Sequence, residues 1–224
     1  MKPKCVVLLL LGLLLGCARL PPMANFTDRG DTRPTPESSP LFPQGRWQLV
    51  HAIEAVPPNG QKQTMIGVSR ICTARRTVHC VLMTLEGLVL FEADYDRQIW
   101  VRRAVGSMSA RGFAEGLMGD ILLIFFAPEG SLQNTGRFAD GAYVRRYATT
   151  DKGTEDIITL PSGRRQICRY DAKKRLTRTV TFAPTEPGAA EGVAPCIALQ
   201  AHGLAGYRLN MTLVEAQQLN HRSK

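Results

Sequence analysis

From Trp47 onward the chain repeats with a period of two, in run after run separated by short turns. Trp47, Leu49, His51 and Ile53 fall on one side of the first run, and Gln48, Val50, Ala52 and Glu54 on the other. Successive side chains of a strand point to opposite faces, so this alternation predicts a strand with one face buried. Pro57-Pro58-Asn59-Gly60 turns the chain into "TMIGVSRIC". "TVHCVLMTLEG" and "LVLFEADY" follow, then a turn around Asp94-Tyr95-Asp96-Arg97 and the run "QIWVRRA". Strands joined this closely pair antiparallel, because a parallel neighbour needs a crossover of about a dozen residues or more. The first half is therefore predicted as one antiparallel meander.

Between Ser109 and Pro128 the period changes. Phe113, Gly116, Leu117, Met118, Ile121 and Leu122 stand at helical spacings, with Ser109 as a candidate N-cap and Pro128 as the stop. Gly112, Gly116 and Gly119 each weaken such a helix by roughly 1 kcal/mol relative to alanine, so packing has to hold it. The run Ile121 to Phe126 is too apolar to face water; it either lines a space or fills one. Strands return after it. "GAYVRRYAT" and "GTEDIITLPSG" are weak candidates, and "RRQICRYDAKKRLTRTVTFAP" reads as a hairpin turning at Asp171-Ala172-Lys173-Lys174. In that hairpin Leu176, Val180 and Phe182 are expected on one face and Thr177, Thr179 and Thr181 on the other. "CIALQAHGLAGYRLNMTLVEAQQL" reads as two strands broken at Gly203 to Gly206, with Tyr207, Leu209, Met211 and Leu213 sharing a face.

The N-terminus carries a different message. Met1-Lys2-Pro3-Lys4 is a basic head and Cys5 to Leu15 an apolar run. A membrane span needs about 20 apolar residues, so the run reads as an export signal. Leu14-Leu15-Gly16-Cys17 resembles the lipobox of bacterial lipoproteins. That resemblance implies removal of residues 1–16, acylation of Cys17 (palmitate among the acyl groups) and, with Ala18 in place of an aspartate, sorting to the outer membrane. The proline-rich stretch up to Gly45 reads as an extended tether within a lipidated segment 17–45. One domain then covers 46–218, and 219–224 is a polar tail.

The formal net charge of +9 suits nucleic acid or anionic lipid headgroups. An export signal argues against nucleic acid, and the basic residues are scattered in pairs such as Arg75-Arg76 and Lys173-Lys174. Four cysteines remain beyond the N-terminal segment, and in an oxidising compartment they permit three disulfide pairings. "ICTARRTVHC" sets Cys72 and Cys80 on the two arms of a tight hairpin, where opposed residues come within disulfide range. The expected bonds are Cys72–Cys80 and, with the cysteines left over, Cys168–Cys196. His79 beside Cys80 lacks zinc-site spacing, and no metal or cofactor is expected. Nor does the sequence contain a G-x-S-x-G elbow or an H-E-x-x-H helix. Asp94 and Asp96 are commonplace turn residues. The expectation is a protein that is not an enzyme.

In "LEGLVLFEADYD", "GFAEGLMGDILLIFFAP" and "IALQAHGLAGYRLNMTL", taken in that order behind a lipobox and a tether, the chain resembles the DUF3261-type bacterial lipoproteins of the LolA/LolB-like superfamily. The resemblance implies a mainly β (α+β) fold: a curved antiparallel half-barrel with one or more helices across its concave side. It further implies an outer-membrane lipoprotein, facing the periplasm, that binds or passes on acyl-chain cargo such as a lipid, a lipoprotein or a glycolipid. The concave side would be lined by Leu49, Leu90 or its neighbour Phe91, Trp100, Phe113, Leu117, Phe125, Tyr207 and Leu209. LolB-like proteins also carry a protruding apolar loop, to which the sequence assigns no residues. The competing reading is a structural or assembly lipoprotein with a filled core, acting through contacts with an envelope protein complex. Cavity size separates the two: a carrier calls for several hundred Å³ of apolar space, a filled core for voids of about one water.

Overall fold

The computed structural model describes residues 19–25, 41–184, 190–203 and 206–219. The signal segment, Cys17 and the tail beyond Leu219 lie outside the described residues. Among those described, the strands are β1 (Ala24–Asn25), β2 (Arg46–Val56), β3 (Gln63–Cys72), β4 (Thr77–Met83), β5 (Val89–Asp96) and β6 (Gln98–Ala104). A helix, α1 (Phe113–Phe125), separates them from β7 (Leu132–Arg137), β8 (Tyr143–Ala148), β9 (Thr154–Thr159) and β10 (Arg165–Tyr170). The last are β11 (Leu176–Phe182), β12 (Cys196–Ala201) and β13 (Arg208–Gln218). They form one curved, open sheet in the order β1-β7-β8-β9-β10-β11-β12-β13-β2-β3-β4-β5-β6. Neighbours pair antiparallel throughout, as the short turns required.

β6 is one edge of the sheet and β7 stands next to the other edge, and α1 lies in the connection between them. Along the way Phe113 stacks edge-on against Phe91 of β5 at 5.2 Å, and Phe125 lies 5.8 Å from His51 of β2. Asp120 bonds to Arg178 of β11. The helix thus touches strands from both halves of the sheet, and the face beneath it is the inner face. α1 is shorter than expected. Ser109 does not cap it: the Ser109 hydroxyl donates to the Gly106 carbonyl, closing a separate short turn over Gly106–Ser109. The helix starts instead at Gly112, whose φ of 83° suits a residue without Cβ. It ends at Phe125, with Phe126 extended and Pro128 just beyond.

The inner face holds the main core. Trp47, Leu49, His51 and Ile53 are all buried there, as the alternation predicts, together with Phe91, Val180, Leu199 and the helical Met118, Ile124 and Phe125. One residue of the expected pattern changes sides. Tyr170 pairs with Leu176 while Arg169 pairs with Arg178, so Thr177 is an extra, bulged residue. Every side chain before the bulge is flipped. Leu176 consequently packs on the outer face against a cluster containing Cys168 and Tyr170, and not beside Val180 and Phe182.

The start of the tether, expected to hang free, is docked on the domain. Residues 19–25 lie along the outer face, where Leu20 and Met23 join Val144, Ile158, Cys168 and Tyr170. Arg19 bridges Arg175, the Pro21 carbonyl accepts from Arg146 at 3.0 Å, and β1 pairs with β7. Arg146 also grips Asp156, whose side chain is fully buried, with both contacts at 2.7 Å. At the other end of the segment Phe42 is buried in the main core. The expected disulfides are absent as well. Cys72, Cys80, Cys168 and Cys196 are free thiols. Register explains this: Thr77 stands opposite Cys72 and Ser69 opposite Cys80, three residues apart along the hairpin. Cys168 and Cys196 are separated by β11, where they align with Thr179 and with a position beyond Phe182. A disulfide spans no more than about 7 Å between Cα atoms.

Candidate functional site

The space between α1 and the inner face gathers most of the residues expected to contact a ligand. Leu49 and Phe91 have no solvent exposure and Phe125 has 2%. Leu209 also faces inward, paired with Ala55 and Leu199. Phe113 and Leu117 are half-buried under the same helix. Phe91 faces inward, and Leu90, the extra residue between the pairs Leu82–Phe91 and Met83–Val89, is partly buried and packs against the same core. Trp100 is a plain miss. It pairs with Asp94 on edge strand β6, on the face opposite to Phe91 and Ala93, and is half exposed. Its strand has one neighbour, so its aromatic character alone carried no information about direction.

A polar cluster stands in this apolar layer. Asp120, almost fully buried on α1, accepts from Arg178 Nε at 2.8 Å and from the Tyr207 hydroxyl. The Arg178 guanidinium also lies over the Tyr207 ring, 5.4 Å from its centroid. Burial pushes the Asp120 carboxyl above its usual range, opposed by the Tyr207 hydrogen bond and the Arg178 charge. Burial likewise raises the Tyr207 phenol, and the Asp120 charge adds to it. For Arg178, burial works to lower the pKa, and attraction to Asp120 outweighs it. This triad ties the middle of the helix to the β11–β13 half of the sheet. The sequence signal for it was an acidic residue in the apolar stretch of the helix, between Met118 and Ile121, a placement that needs a buried partner.

His51 is the second polar group in the layer. It is 1% exposed, and its Nε2 has no hydrogen-bond partner among the described residues. Burial lowers its pKa to about 4, so the ring is neutral at ordinary pH. The histidine that looked like one more position in an alternating strand therefore sits uncharged against Phe125.

At the C-terminal end of α1 lies a pocket of about 190 Å³, walled by Leu122, Leu123 and Phe126 and by Arg76, Glu155 and Arg169. Arg76 donates to the Ala127 carbonyl at 2.7 Å and stands over the Phe126 ring. Its Nε is 2.8 Å from Glu129 Oε1, an ion-pair distance without hydrogen-bond geometry. Arg169 bridges Glu155 and Asp151 at 2.8 Å each. This mixed, charged pocket is smaller than the several hundred Å³ of apolar space expected of a loaded carrier.

Exposed apolar residues gather elsewhere. Leu85 and Leu88 are 62% and 57% exposed on the turn between β4 and β5, and Val105 at the end of β6 is 45% exposed. The Val105 amide donates to the Leu90 carbonyl, which places it next to that turn. The turn itself is tight: the Gly87 amide donates to the Thr84 carbonyl at 3.0 Å and the Thr84 amide to the Leu88 carbonyl at 2.9 Å.

No group of three or more His, Cys, Asp or Glu suited to a metal occurs among the described residues. No helix among them is long and apolar enough to cross a membrane.

Solved structures of low sequence identity share this fold. A LolA superfamily protein from Nitrosomonas europaea superposes with a TM-score of 0.54 at 13% identity, over 80% of this chain and 88% of that one. A domain from Vibrio parahaemolyticus described as a putative outer membrane lipoprotein-sorting protein gives 0.44 at 13% identity, over 80% and 88%. A DUF1329 family protein from Desulfovibrio piger gives 0.47 at 12%, over 84% and 89%. No family model matches the sequence, so the narrower DUF3261 resemblance gains no support, and no curated protein matches it either.

Proposed function

We propose that this chain is an outer-membrane-anchored lipoprotein, acylated at Cys17, that binds or hands on an acyl-chain cargo at the inner face of its sheet. The observation that carries the reading is one long helix laid over a continuous apolar face and fixed there by a single buried polar triad, Asp120, Arg178 and Tyr207. In this reading α1 is a lid. With Leu49, Phe91 and Phe125 sealed from solvent, cargo reaches them by displacing the helix. An acyl chain of about fifteen methylenes gains roughly 12 kcal/mol on leaving water. That is enough to offset parting a buried ion pair, which costs about 3–5 kcal/mol, with a margin for uncovering the apolar side of the helix. The exposed Leu85 and Leu88 turn is the natural place for cargo to pass to a membrane. No catalytic step is proposed.

A second reading has its own support. The sealed core and the small charged pocket suit an assembly lipoprotein whose sheet is filled by its own helix and which acts through protein contacts. Native mass spectrometry of the protein purified from a periplasm, with lipid extraction of the same sample, separates the two. A discrete added mass identified as acyl lipid or lipopeptide supports the lid reading. An unshifted mass in the presence of offered lipids supports the filled core.

A further inference from the structure

We infer that two copies of this chain associate through the outer face of β2, β3 and β4, sheet against sheet about a two-fold axis. The inference depends on neither the anchor nor the cargo proposed above.

An antiparallel sheet with one face on its core commonly turns a polar face to water. These strands do not. Leu49, Ile71 and Leu82 are buried on the inner side, yet the residues that alternate with them in the middle of the strands are apolar too. Val50 pairs with Val68 and Val68 with Val81; two residues along, Ala52 pairs with Ile66 and Ile66 with Met83. The six side chains make two unbroken rows across the outer face. All are partly exposed, and none belongs to either buried cluster. In the other half of the sheet, where Val144 and Ile158 point outward, Leu20 and Met23 of residues 19–25 cover them. Among the described residues, neither cluster extends onto the outer rows of β2, β3 and β4. A contiguous apolar patch with a polar rim is the composition of a protein contact.

The charges on the rim select the occupant. At one end of the patch Arg70 pairs with Gln48 and His79; at the other Glu54 pairs with Thr64 and Asn210. Both charged residues are exposed, and neither stands opposite a charge of the other sign in its own sheet: Arg70 Nε donates to Gln48 Oε1 at 2.8 Å. A two-fold axis lying between two copies and perpendicular to the strands sets β2 on β2 and β3 on β3, running in opposite directions. The valine row of each copy then faces the row of Ala52, Ile66 and Met83 of the other. The same operation brings the Arg70 and Gln48 end of each copy over the Thr64 and Glu54 end of the other, so an Arg–Glu contact forms at both ends. The surface is thus complementary to itself, as an isologous interface requires, and near-aligned packing of two sheets is a standard arrangement.

Size sets the strength. With strands about 4.8 Å apart and about 3.4 Å per residue, the apolar rows cover roughly 200 Å² and the charged rows extend the contact to roughly 400 Å² per copy. That is about half of the roughly 800 Å² per partner of a stable complex, so the dimer is weak and depends on concentration.

Sedimentation velocity of the full-length protein in detergent, over a wide range of concentration, reads the association. The wild type should pass reversibly from monomer to dimer as concentration rises. Arg70→Glu and Glu54→Arg each set like charges against one another at both ends and should weaken dimerisation by about tenfold. An equimolar mixture of the two variants sets opposite charges at both ends and should recover the wild-type level. Both positions are exposed, and matching thermal melts of the three proteins control for folding. Within one copy the two residues sit at opposite ends of the patch, so recovery on mixing requires contact between copies. A wild type that stays monomeric at every concentration leaves this face to a different protein and overturns the inference. So does a mixture that dimerises no better than its components.

Discussion

His51 offers a prediction whose size follows from the structure. Its ring is buried, its Nε2 lacks a partner among the described residues, and its pKa falls to about 4 from the ordinary 6.5. The folded state therefore holds fewer protons than the unfolded state between those values. Stability is full above the unfolded pKa and is lost as pH falls towards the folded one. From about pH 7.5 to about pH 5.0 this single group removes about 2 kcal/mol, and the loss levels off at about 3 kcal/mol below its folded pKa. Carboxylates titrate in the lower part of the same range, so the quantity to read is a difference. Urea unfolding of the wild type and of His51→Leu at both pH values supplies it. The wild type should lose about 2 kcal/mol more than the variant on acidification. At neutral pH the variant should equal or exceed the wild type, since it removes an unsatisfied buried nitrogen worth about 1–3 kcal/mol. Parallel losses in the two proteins would show that His51 is protonated in the folded state and that its ring is not sealed from water.

Arg178→Met leaves the Asp120 carboxyl buried beside Tyr207 alone and should cost about 3–5 kcal/mol, whereas Tyr207→Phe should cost about 1.5–3 kcal/mol. Adding Asp120→Asn to Arg178→Met should restore much of that loss, and additive urea midpoints would contradict the triad. Nothing stands within 4 Å of a Cβ built at Gly116, so Gly116→Ala should stabilise the protein by about 0.5–1 kcal/mol in thermal or urea unfolding. Destabilisation there would mean that the helix packs more closely than described. Under non-reducing conditions with alkylation after unfolding, Cys72, Cys80, Cys168 and Cys196 should all be recovered as alkylated free thiols. Recovery of a Cys72–Cys80 peptide would restore the hairpin pairing.

The strands were legible because their information is local. Trp47, Leu49, His51 and Ile53 announce a buried face through period alone, and Pro57 to Gly60 and Asp171 to Lys174 announce turns through residue type. Short turns then forced antiparallel pairing. The helix was legible too, although its start was not. Ser109 has the chemistry of a cap, yet the chain uses a left-handed Gly112, and the choice between them depends on how the preceding Gly106–Ser109 turn leaves the sheet edge.

What sequence alone determined, then, is a run of strands, one apolar helix and their antiparallel connection, all consequences of interactions within a few residues. The tertiary structure decided the rest. A bulge at Thr177 reassigns Leu176 to the other face, and register keeps Cys72 and Cys80 apart. Packing lays α1 across the inner face, where Asp120 meets Arg178 over 58 positions and Tyr207 over 87. The strap at residues 19–25 is fixed by contacts more than a hundred positions away. A period of two specifies which residues share a face only until one extra residue shifts it. Partners across the sheet are selected by the closed set of contacts, and no local pattern in the chain records them.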